Sequence, residues 1–244
     1  MAGAVPGRAA GRAGSPAPTS READATVAAA AEPDRDCPRC PRLVEFRTKW
    51  RAERPDWRNA PVPSFGPADA RLLIVGLAPG LQGANRTGRP FTGDYAGHLL
   101  YATLRDFGFA RGTYEERPDD GLTLVDARIT NAVRCVPPEN KPTGAEIGTC
   151  RPFLVATMAT MLRLAAVVTL GRIAHDSLMT TLGWKKSAHP FGHGAVHAGT
   201  GPAGTPLTVF DSYHCSRYNT NTGVLTEAMF RSVFAAVRQH LDGR

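Results

Sequence analysis

The sequence predicts an α/β fold in which a parallel sheet is covered by helices on both faces. Short continuous apolar runs alternate along the chain with longer segments in which apolar residues recur every three or four positions. The first pattern is typical of strands buried on both faces, and the second is typical of helices with one apolar face. Their alternation favours strand–helix–strand units and therefore a parallel sheet.

Four segments carry the strand pattern. The run RLLIVGL at 71–77 is continuously apolar and leads into Ala-Pro-Gly, as expected of a buried parallel strand that ends in a turn. The run AAVVTL at 165–170 has the same character. The predicted strands are Arg71–Leu77, Leu122–Val133, Ala165–Leu170 and Pro206–Phe210.

The helical segments lie between and after these strands. In the first of them, Leu100, Leu104 and Phe107 fall on one helical face, and the last segment is amphipathic along its whole length. The predicted helices are Asp94–Phe107, Thr143–Leu164, Arg172–Leu182 and Thr226–Leu241. In such sheets, ligands bind at the carboxyl ends of the strands.

Composition excludes several classes of protein. The chain has 244 residues, 42% of them hydrophobic and 21% charged. No apolar run approaches the roughly 18 residues that span a bilayer, and the N-terminus lacks the apolar core of a secretory signal. Collagen-like, coiled-coil and fully disordered classes do not fit the composition either. We therefore expect a basic intracellular globular protein.

The formal net charge of +7 comes from 29 cationic residues, of which only Lys49, Lys141, Lys185 and Lys186 are lysines. The guanidinium group of arginine suits phosphate, so this surplus is compatible with nucleic-acid binding. Abundant Ala, Arg, Gly and Pro also fit a GC-rich genome, and this bias explains most of the preference for Arg over Lys. It explains the positive sign of the charge less well.

The N-terminal segment differs from the rest of the chain. Residues 1–33 contain 12 Ala, 4 Gly and 4 Pro, without an aromatic residue. Such a segment cannot bury enough apolar surface to offset its ordering entropy. We therefore predict a disordered tail over 1–33 and a folded domain over 34–244.

The loop after the first strand holds two candidate site residues. It is rich in glycine, which lets backbone N–H groups approach a ligand, but it lacks the P-loop and dinucleotide fingerprints. Asp94 stands where a helix should begin, so it is either an N-cap or a functional carboxylate. Phe91 is either a core residue or a stacking platform for a base.

Polar residues also follow the second and fourth strands. Asn131 could present a carbonyl and an amide to one planar ligand, although turn formation explains it equally well. His214 lies just past the carboxyl end of a strand in a polar loop, where functional residues gather. A single histidine is nevertheless more often structural.

Four of the five cysteines suggest a metal centre. Cys37 and Cys40 form a C-x2-C pair, and Cys135 and Cys150 follow about ninety residues later. In a reducing compartment these thiols favour a metal ion or cluster over disulfides, with scattered free thiols as the alternative. Zinc and iron–sulfur are both chemically allowed. Cys215 is left over and is not expected to be a ligand.

Three histidines recur at four-residue steps, at positions 189, 193 and 197. A helix would place them on one face, but Pro190, Gly192 and Gly194 make a helix improbable there. We therefore predict a loop or hairpin and do not expect these histidines to bind metal.

Taken together, these residues resemble family 5 of the uracil-DNA glycosylase superfamily, the iron–sulfur-containing type-b enzymes. The similarity rests on GLAPG at 76–80, NRTGRPFTGD at 85–94, NAVRCVPPENKPT at 131–143 and SYHCSRYNTNTGVLT at 212–226. It also includes the four cysteines and covers nearly all of the chain from about 37 to 240. The combination is specific, although each element alone is not.

The resemblance implies a three-layer α/β/α sandwich with a central four-stranded parallel sheet and a structural [4Fe-4S] cluster, with zinc as the less favoured occupant. Asp94, His214 and Asn131 would be the catalytic residues, with Asp94 acting on water, His214 bonding O2 of the base and Asn131 reading its edge. Phe91 would stack on the base. The other substrate contacts would be Gly76, Ala78, Pro79, Gly80 and Ser216, and the cluster ligands would be Cys37, Cys40, Cys135 and Cys150.

Two positions of this chain differ from the motifs of related families. Ala78 occupies the position at which related families carry an acidic or amide residue that handles water, and an apolar residue there is usual in family 5. Cys215 stands where many related motifs have proline after the histidine, which would make that loop more flexible. The resemblance implies a monofunctional, base-flipping glycosylase acting on uracil, and on other deaminated bases such as hypoxanthine.

The expected partner is DNA, double-stranded and carrying a deaminated base, with no membrane partner. We expect a monomer located in the cytoplasm at the nucleoid. One alternative is a catalytically silent binder of damaged DNA, since Ala78 removes the familiar water-handling side chain. The other is a zinc-stabilised, Rossmann-like small-molecule enzyme, which the absence of a phosphate fingerprint disfavours.

Overall fold

The computed structural model describes Met1 and residues 32–243. Within these residues the strands are β1 (Leu72–Gly76), β2 (Ala110–Arg111), β3 (Thr123–Leu124), β4 (Ala127–Asn131), β5 (Ala166–Leu170), β6 (Val196–Thr200) and β7 (Pro206–Ser212). The helices are α1 (Pro41–Glu53), α2 (Ala84–Thr87), α3 (Tyr95–Asp106), α4 (Gly144–Thr160), α5 (Arg172–Leu182), α6 (Arg217–Asn221) and α7 (Glu227–Asp242), with a 3₁₀ turn at Pro138–Asn140.

The central sheet has five strands in the order β4-β1-β5-β7-β6. The first four are parallel to one another, and β6 is added antiparallel at the edge beside β7. In β1, all five residues are buried, as its uninterrupted apolar sequence requires. Gly76 lies opposite Asn131 in the register of β1 and β4. The segments that follow these strands therefore begin at the same edge of the sheet.

Helices cover both faces of this sheet. On one face, Leu72 and Ile74 pack in a cluster that includes Leu100 of α3 and Phe234 of α7. On the other face, the alternate residues of β1 pack against α4 and α5, through Leu73, Val75, Leu154, Met158 and Leu178. Because successive side chains of a strand point to opposite faces, one apolar strand supplies both cores. The predicted three-layer α/β/α architecture is confirmed.

The predicted number of strands was too low. The sheet contains β6 in addition to the four expected strands, and this fifth strand is antiparallel. Its sequence, VHAGT, lacks a continuous apolar run because an edge strand is covered on one side only, and His197 is its one buried residue. The segment predicted as a loop or hairpin contains both: His189 and His193 lie in the loop before β6, and His197 lies in β6, which forms an antiparallel hairpin with β7.

The segment predicted as one strand at 122–133 is interrupted. It forms β3 and β4, which belong to different sheets. Asp126, between them, has a φ of 54°, a left-handed conformation that breaks an extended strand. Its carboxylate accepts hydrogen bonds from the backbone N–H and the side chain of Arg71, which holds the break in place.

The predicted tail at 1–33 lies outside the described residues except for Met1, Glu32 and Pro33. The Glu32 carboxylate accepts hydrogen bonds from Arg134 at 2.9 Å and from the backbone N–H of Ser64 at 3.0 Å. Because Arg134 is fully buried, this contact ties Glu32 to the domain. In the part of the chain that the structure describes, we find no helix long and apolar enough to cross a membrane.

Candidate active site

A cavity of about 660 Å³ opens where β1, β4 and β7 end. Its wall combines the glycine-rich loop after β1 with the first residues of α3 and with the loop after β7. The cavity is lined by Leu77, Ala78, Pro79, Gly80, Leu81, Gln82, Gly83, Ala84, Phe91, Gly93, Asp94, Tyr95, Ala96, Asn131, Asn140, His214, Ser216 and Arg217.

This cavity brings together eight of the nine residues predicted to act on or bind the substrate. They are Ala78, Pro79, Gly80, Phe91, Asp94, Asn131, His214 and Ser216. Gly76 lies beneath the cavity wall, where a Cβ atom would be 2.8 Å from the ring of Phe91 and would also collide with the side chain of Asn131. A bare backbone at Gly76 therefore lets both side chains approach the sheet.

Asp94 occupies the N-cap position of α3 without acting as a side-chain cap. Its carboxylate makes no capping hydrogen bond, and Oδ1 is buried with no hydrogen-bond partner among the described residues. Burial raises the pKa of Asp94 above its ordinary value, and the nearby backbone N–H groups of Gly97 and Ala96 offset part of this shift. The site thus holds a desolvated carboxylate with a free acceptor atom beside the cavity.

The glycines of the loop after β1 make room for this carboxylate. A Cβ atom on Gly83 would lie 2.8 Å from Cβ of Asp94, and one on Gly80 would lie 3.0 Å from its Oδ2. Both distances are shorter than ordinary van der Waals contact. The glycine-rich sequence is therefore explained by close packing of the loop around Asp94.

Phe91 is held in a strained conformation. Its φ is 52°, in the left-handed region that an aromatic residue rarely adopts, at a cost of about 1–3 kcal/mol. The ring packs beside that of His214, with centroids 5.9 Å apart and planes inclined by 30°. Such strain persists only where surrounding structure enforces it, and it is characteristic of functional sites.

Asn131 ends β4 and projects into the cavity wall. The residue is 3% exposed, and its Oδ1 has no hydrogen-bond partner among the described residues. A buried amide oxygen without a partner costs about 1–3 kcal/mol. A ligand with a donor group would remove this cost on binding.

His214 follows β7 and faces the cavity. Burial lowers the pKa of His214 to about 4, so the imidazole is neutral at physiological pH. Its backbone carbonyl accepts a hydrogen bond of 2.8 Å from Asn219, and Ser216 caps α6 through the N–H of the same residue. Cys215 is fully buried in the core. These hydrogen bonds connect the loop after β7 to the first turn of α6.

Several cavity residues were not predicted from the sequence. Asn140 reaches the cavity from the 3₁₀ turn, and Arg217 lies over the ring of Tyr95 at 5.2 Å. The sequence offered two signals for these residues: Arg217 is a basic residue directly after His-Cys-Ser, and Tyr95 is an aromatic residue directly after Asp94. Asn140 gave no local signal, because its position depends on how the segment between Cys135 and Cys150 folds back.

The four predicted metal ligands surround a second, smaller cavity. It is lined by Cys37, Cys40, Cys135 and Cys150 together with apolar side chains that include Leu43, Val133 and Phe153. Two N–H groups point at sulfur: the backbone N–H of Arg134 lies 3.3 Å from Cys150 Sγ, and Arg47 Nη1 lies 3.7 Å from Cys135 Sγ. Donors of this kind favour thiolate over thiol.

The protonation of these cysteines fits a site that requires a cation. Burial raises the pKa of Cys40 to about 11 and that of Cys135 to about 12. Burial thus disfavours the thiolate form of these two side chains unless a cation compensates its charge. Coordination would deprotonate them and release the protons. The four side chains therefore fit a thiolate-bound metal centre.

A separate polar cluster lies under β6 and β7. Asp211 accepts hydrogen bonds from Thr169, from His175 Nδ1 at 2.8 Å and from His197 Nε2 at 3.1 Å. Nε2 of His175 faces the carbonyl oxygen of His189 at 2.9 Å. Both ring nitrogens of His175 thus face acceptors, and the hydrogen bond to Asp211 raises the pKa of His175. This buried hydrogen-bonded cluster anchors the hairpin.

The three-layer fold thus carries, at the ends of its parallel strands, a cavity that presents a carboxylate, an amide and a neutral imidazole beside an aromatic ring. Residues 63–238 match the family described as "Uracil DNA glycosylase superfamily". The type-5 uracil-DNA glycosylase of Thermus thermophilus is 44% identical over 210 residues, which are 83% of this chain and 93% of that protein. The chain belongs to the uracil-DNA glycosylase superfamily.

Further relatives separate two types within this superfamily. The type-5 uracil-DNA glycosylase of Pyrobaculum aerophilum is 40% identical over 195 residues, which are 78% of this chain and 83% of that protein. The type-4 uracil-DNA glycosylase of Saccharolobus solfataricus is 30% identical over 206 residues, which are 83% of this chain and 82% of that protein. The type-5 relatives are thus the more similar ones.

Proposed function

We propose that this protein is a type-5 uracil-DNA glycosylase, a monofunctional hydrolase that removes uracil from DNA and leaves an abasic site. The observation that carries this proposal is a pair of buried acceptors in the cavity wall: Asp94 Oδ1 and Asn131 Oδ1 have no hydrogen-bond partner within the described part of the chain, and they lie beside a neutral His214. Buried polar groups in folded proteins are nearly always hydrogen-bonded, so these two acceptors suit a ligand that carries donor groups.

Uracil carries hydrogen-bond donors and acceptors that complement the polar side chains of this cavity. An extruded base, flipped out of the duplex, would lie along Phe91. Its N3–H would donate to Oδ1 of Asn131, while its O4 would accept from the amide nitrogen of the same side chain. The imidazole N–H of His214 would donate to O2. Each of these contacts satisfies a group that is buried in the free protein.

The reaction replaces the bond between N1 of uracil and C1′ of deoxyribose with a bond between C1′ and a water oxygen. As the N-glycosidic bond breaks, positive charge develops on the sugar and negative charge on the departing base. The carboxylate of Asp94 stabilises the sugar cation and orients water, whose proton it accepts as the oxygen bonds to C1′. His214 stabilises the uracil anion at O2.

We infer that the cysteine cavity holds a [4Fe-4S] cluster with a structural role. Hydrolysis by water needs no electron transfer, so the cluster would stabilise the fold and supply no redox step. The four thiols line one small, mostly apolar cavity, and soft sulfur ligands of this kind suit an iron–sulfur cluster, with zinc as the less favoured occupant.

The expected substrate is double-stranded DNA, bound by a monomer at the nucleoid in the cytoplasm. The net charge of +7 supports attraction to phosphate, and Arg217 is among the residues that line the cavity.

The alternative is a binder of damaged DNA that releases no base. It retains salt-sensitive affinity for DNA, so uracil release from a duplex with one uracil opposite guanine separates the two.

Asp94→Asn is expected to lower the rate of uracil release by about 10²-fold or more, because the amide cannot take a proton from water. Ionised Asp94 is disfavoured by burial, so the variant should be at least as stable as the wild type. Since the pKa of Asp94 is raised, its ionised form and the wild-type rate are lost as pH falls through that pKa. Single-turnover release measured across acidic pH tests this, and undiminished release by Asp94→Asn would show that the Asp94 carboxylate has no role in the reaction.

Ala78 is expected to admit bases larger than uracil. Its methyl group leaves space in the cavity wall, so we predict release of hypoxanthine as well as uracil. Ala78→Leu should reduce hypoxanthine release at least tenfold more than uracil release, since the added side chain narrows the cavity. Parallel assays on two duplexes that differ only in the damaged base measure the ratio, and strict uracil preference in the wild type would contradict the prediction.

A further inference from the structure

Tyr114 lies outside every sequence motif of this chain but contacts the segment that carries Phe91 and Asp94. It belongs to the loop between β2 and β3, more than twenty residues after Phe91. Its hydroxyl donates a hydrogen bond to the carbonyl oxygen of Phe91 at 3.1 Å. The same hydroxyl accepts a hydrogen bond from the N–H of Gly93 at 3.4 Å. One phenol thus bridges the two peptide groups on either side of Thr92.

The bridged residues are those whose backbone is left-handed. Phe91 has a φ of 52° and Gly93 has a φ of 84°. Glycine adopts this conformation without steric cost, whereas phenylalanine does so only when its surroundings require it. The hydroxyl of Tyr114 satisfies the carbonyl that this unusual turn exposes. Relaxation of Phe91 would move its ring away from His214 and would shift Asp94, three residues later.

Tyr114 is itself held rigidly by a buried ion pair. Arg89 and Asp120 form two hydrogen bonds of 2.8 and 2.7 Å, with side chains that are 5% and 0% exposed. The Arg89 guanidinium lies 5.9 Å from the centroid of the Tyr114 ring, and the ring of Tyr101 packs at 4.7 Å. The loop that carries Tyr114 is therefore fastened to the segment it supports.

The first turn of α3 is built to admit this contact. A Cβ atom at Gly97 would overlap with both the carbonyl oxygen of Phe91 and the hydroxyl of Tyr114. Both atoms therefore pack directly against the backbone of α3, whose N-terminus carries Asp94. The hydroxyl, the strained turn and the helix form one unit.

We infer that Tyr114 is a positioning residue that holds the ring of Phe91 in the orientation needed to stack on the extruded base. This inference rests on the proposed glycosylase function. Tyr114 is not among the residues that line the cavity. Its hydroxyl acts through the backbone of Phe91 and Gly93.

The test is Tyr114→Phe, which removes the hydroxyl and keeps the ring on Arg89. We expect the single-turnover rate of uracil release at saturating DNA to fall about tenfold. Affinity for a duplex with an abasic site should change less than twofold, because that site has no base to stack. If the substitution loosened the whole domain, the rate and the affinity for the abasic duplex would fall together. A lower rate with nearly unchanged affinity therefore distinguishes positioning of Phe91 from a merely structural role.

Tyr101→Phe is the matched control. The hydroxyl of Tyr101 donates to the carbonyl of Pro90 at 2.6 Å, one residue before Phe91. This hydroxyl bonds the peptide group between Pro90 and Phe91 and leaves the two peptide groups that Tyr114 bridges untouched, so Tyr101→Phe removes a neighbouring phenol hydroxyl and keeps the Tyr114 bridge. We expect Tyr101→Phe to keep the rate within twofold of wild type.

The outcomes separate the inference from the proposed function. If the wild-type protein releases uracil and Tyr114→Phe releases it equally fast, the inference is wrong and the function stands. Equal losses of rate and of abasic-site affinity in Tyr114→Phe would also overturn it, as would an equal loss of rate in Tyr101→Phe. If the wild type releases no base at all, the proposed function itself fails.

Discussion

His214→Ala is expected to lower the rate of uracil release by about 10²- to 10³-fold, as removal of a comparable oxyanion donor does in other enzymes. The imidazole lies in a desolvated wall, where a hydrogen bond to developing charge is stronger than in water. It is already oriented by the loop after β7, because Asn219 binds the carbonyl of His214 and Ser216 caps α6. Little reorganisation is therefore needed when negative charge appears on the base.

The protonation state of His214 gives this prediction a second measurement. Because burial lowers the pKa of His214 to about 4, the ring stays neutral until the pH falls through that value. A histidine with an ordinary pKa would change charge at about pH 6.5. We therefore expect no inflection near neutral pH in the single-turnover rate. An inflection there that disappears in His214→Ala would contradict a neutral donor.

A conservative variant controls for loss of packing. His214→Gln keeps an N–H donor at a similar reach, and we expect it to recover part of the rate that the alanine variant loses. Binding of an abasic duplex should remain close to wild type in both variants, since no base is present. If His214→Ala kept its rate within threefold of wild type, O2 would have another donor and our assignment would be wrong.

The central strands of this fold are predictable from sequence, whereas its periphery is not. β1 and β5 are buried on both faces, so their sequences are uniformly apolar. β6 is an edge strand with one buried residue and shows no such run. Likewise, α1 was not predicted, because it buries only Leu43 and Arg47 and has no distinct apolar face. A sequence pattern reflects how many residues of an element are buried, and β6 and α1 bury only one and two residues.

The same distinction applies to the site. Asp94, Asn131 and His214 follow predicted strands or open a predicted helix, so the topology alone places them at one edge of the sheet. Tyr114 and Asn140 reach the site from long loops, and only the tertiary fold brings them there. The strain at Phe91 was equally invisible, because a left-handed phenylalanine has no sequence signature comparable with that of glycine.

The largest expected effect on stability comes from Cys40→Ala. The arm that carries Cys37 and Cys40 leads into α1, and it meets the segment from Cys135 to Cys150 around a small apolar cluster centred on Leu43 and the cysteines. Arg42 of α1 also forms two hydrogen bonds of 2.8 Å with Glu146 of α4, but these lie beside the cysteines at the surface and the metal would be the central connection. Structural metal sites contribute about 10–16 kcal/mol to the folding of small domains in the case of zinc, so loss of one ligand should unfold this region.

We expect the wild-type protein to be brown and to contain about four iron atoms per chain. Cys40→Ala should lose the colour, the iron and most of the soluble folded protein. Cys215→Ala is the matched control, because Cys215 is also fully buried but packs in the main core beside the sheet. It should keep the iron and cost only about 1 kcal/mol. A colourless wild type with one zinc per chain would replace the cluster by a zinc site, and a stable, iron-free Cys40→Ala would show that the fold does not depend on the metal centre.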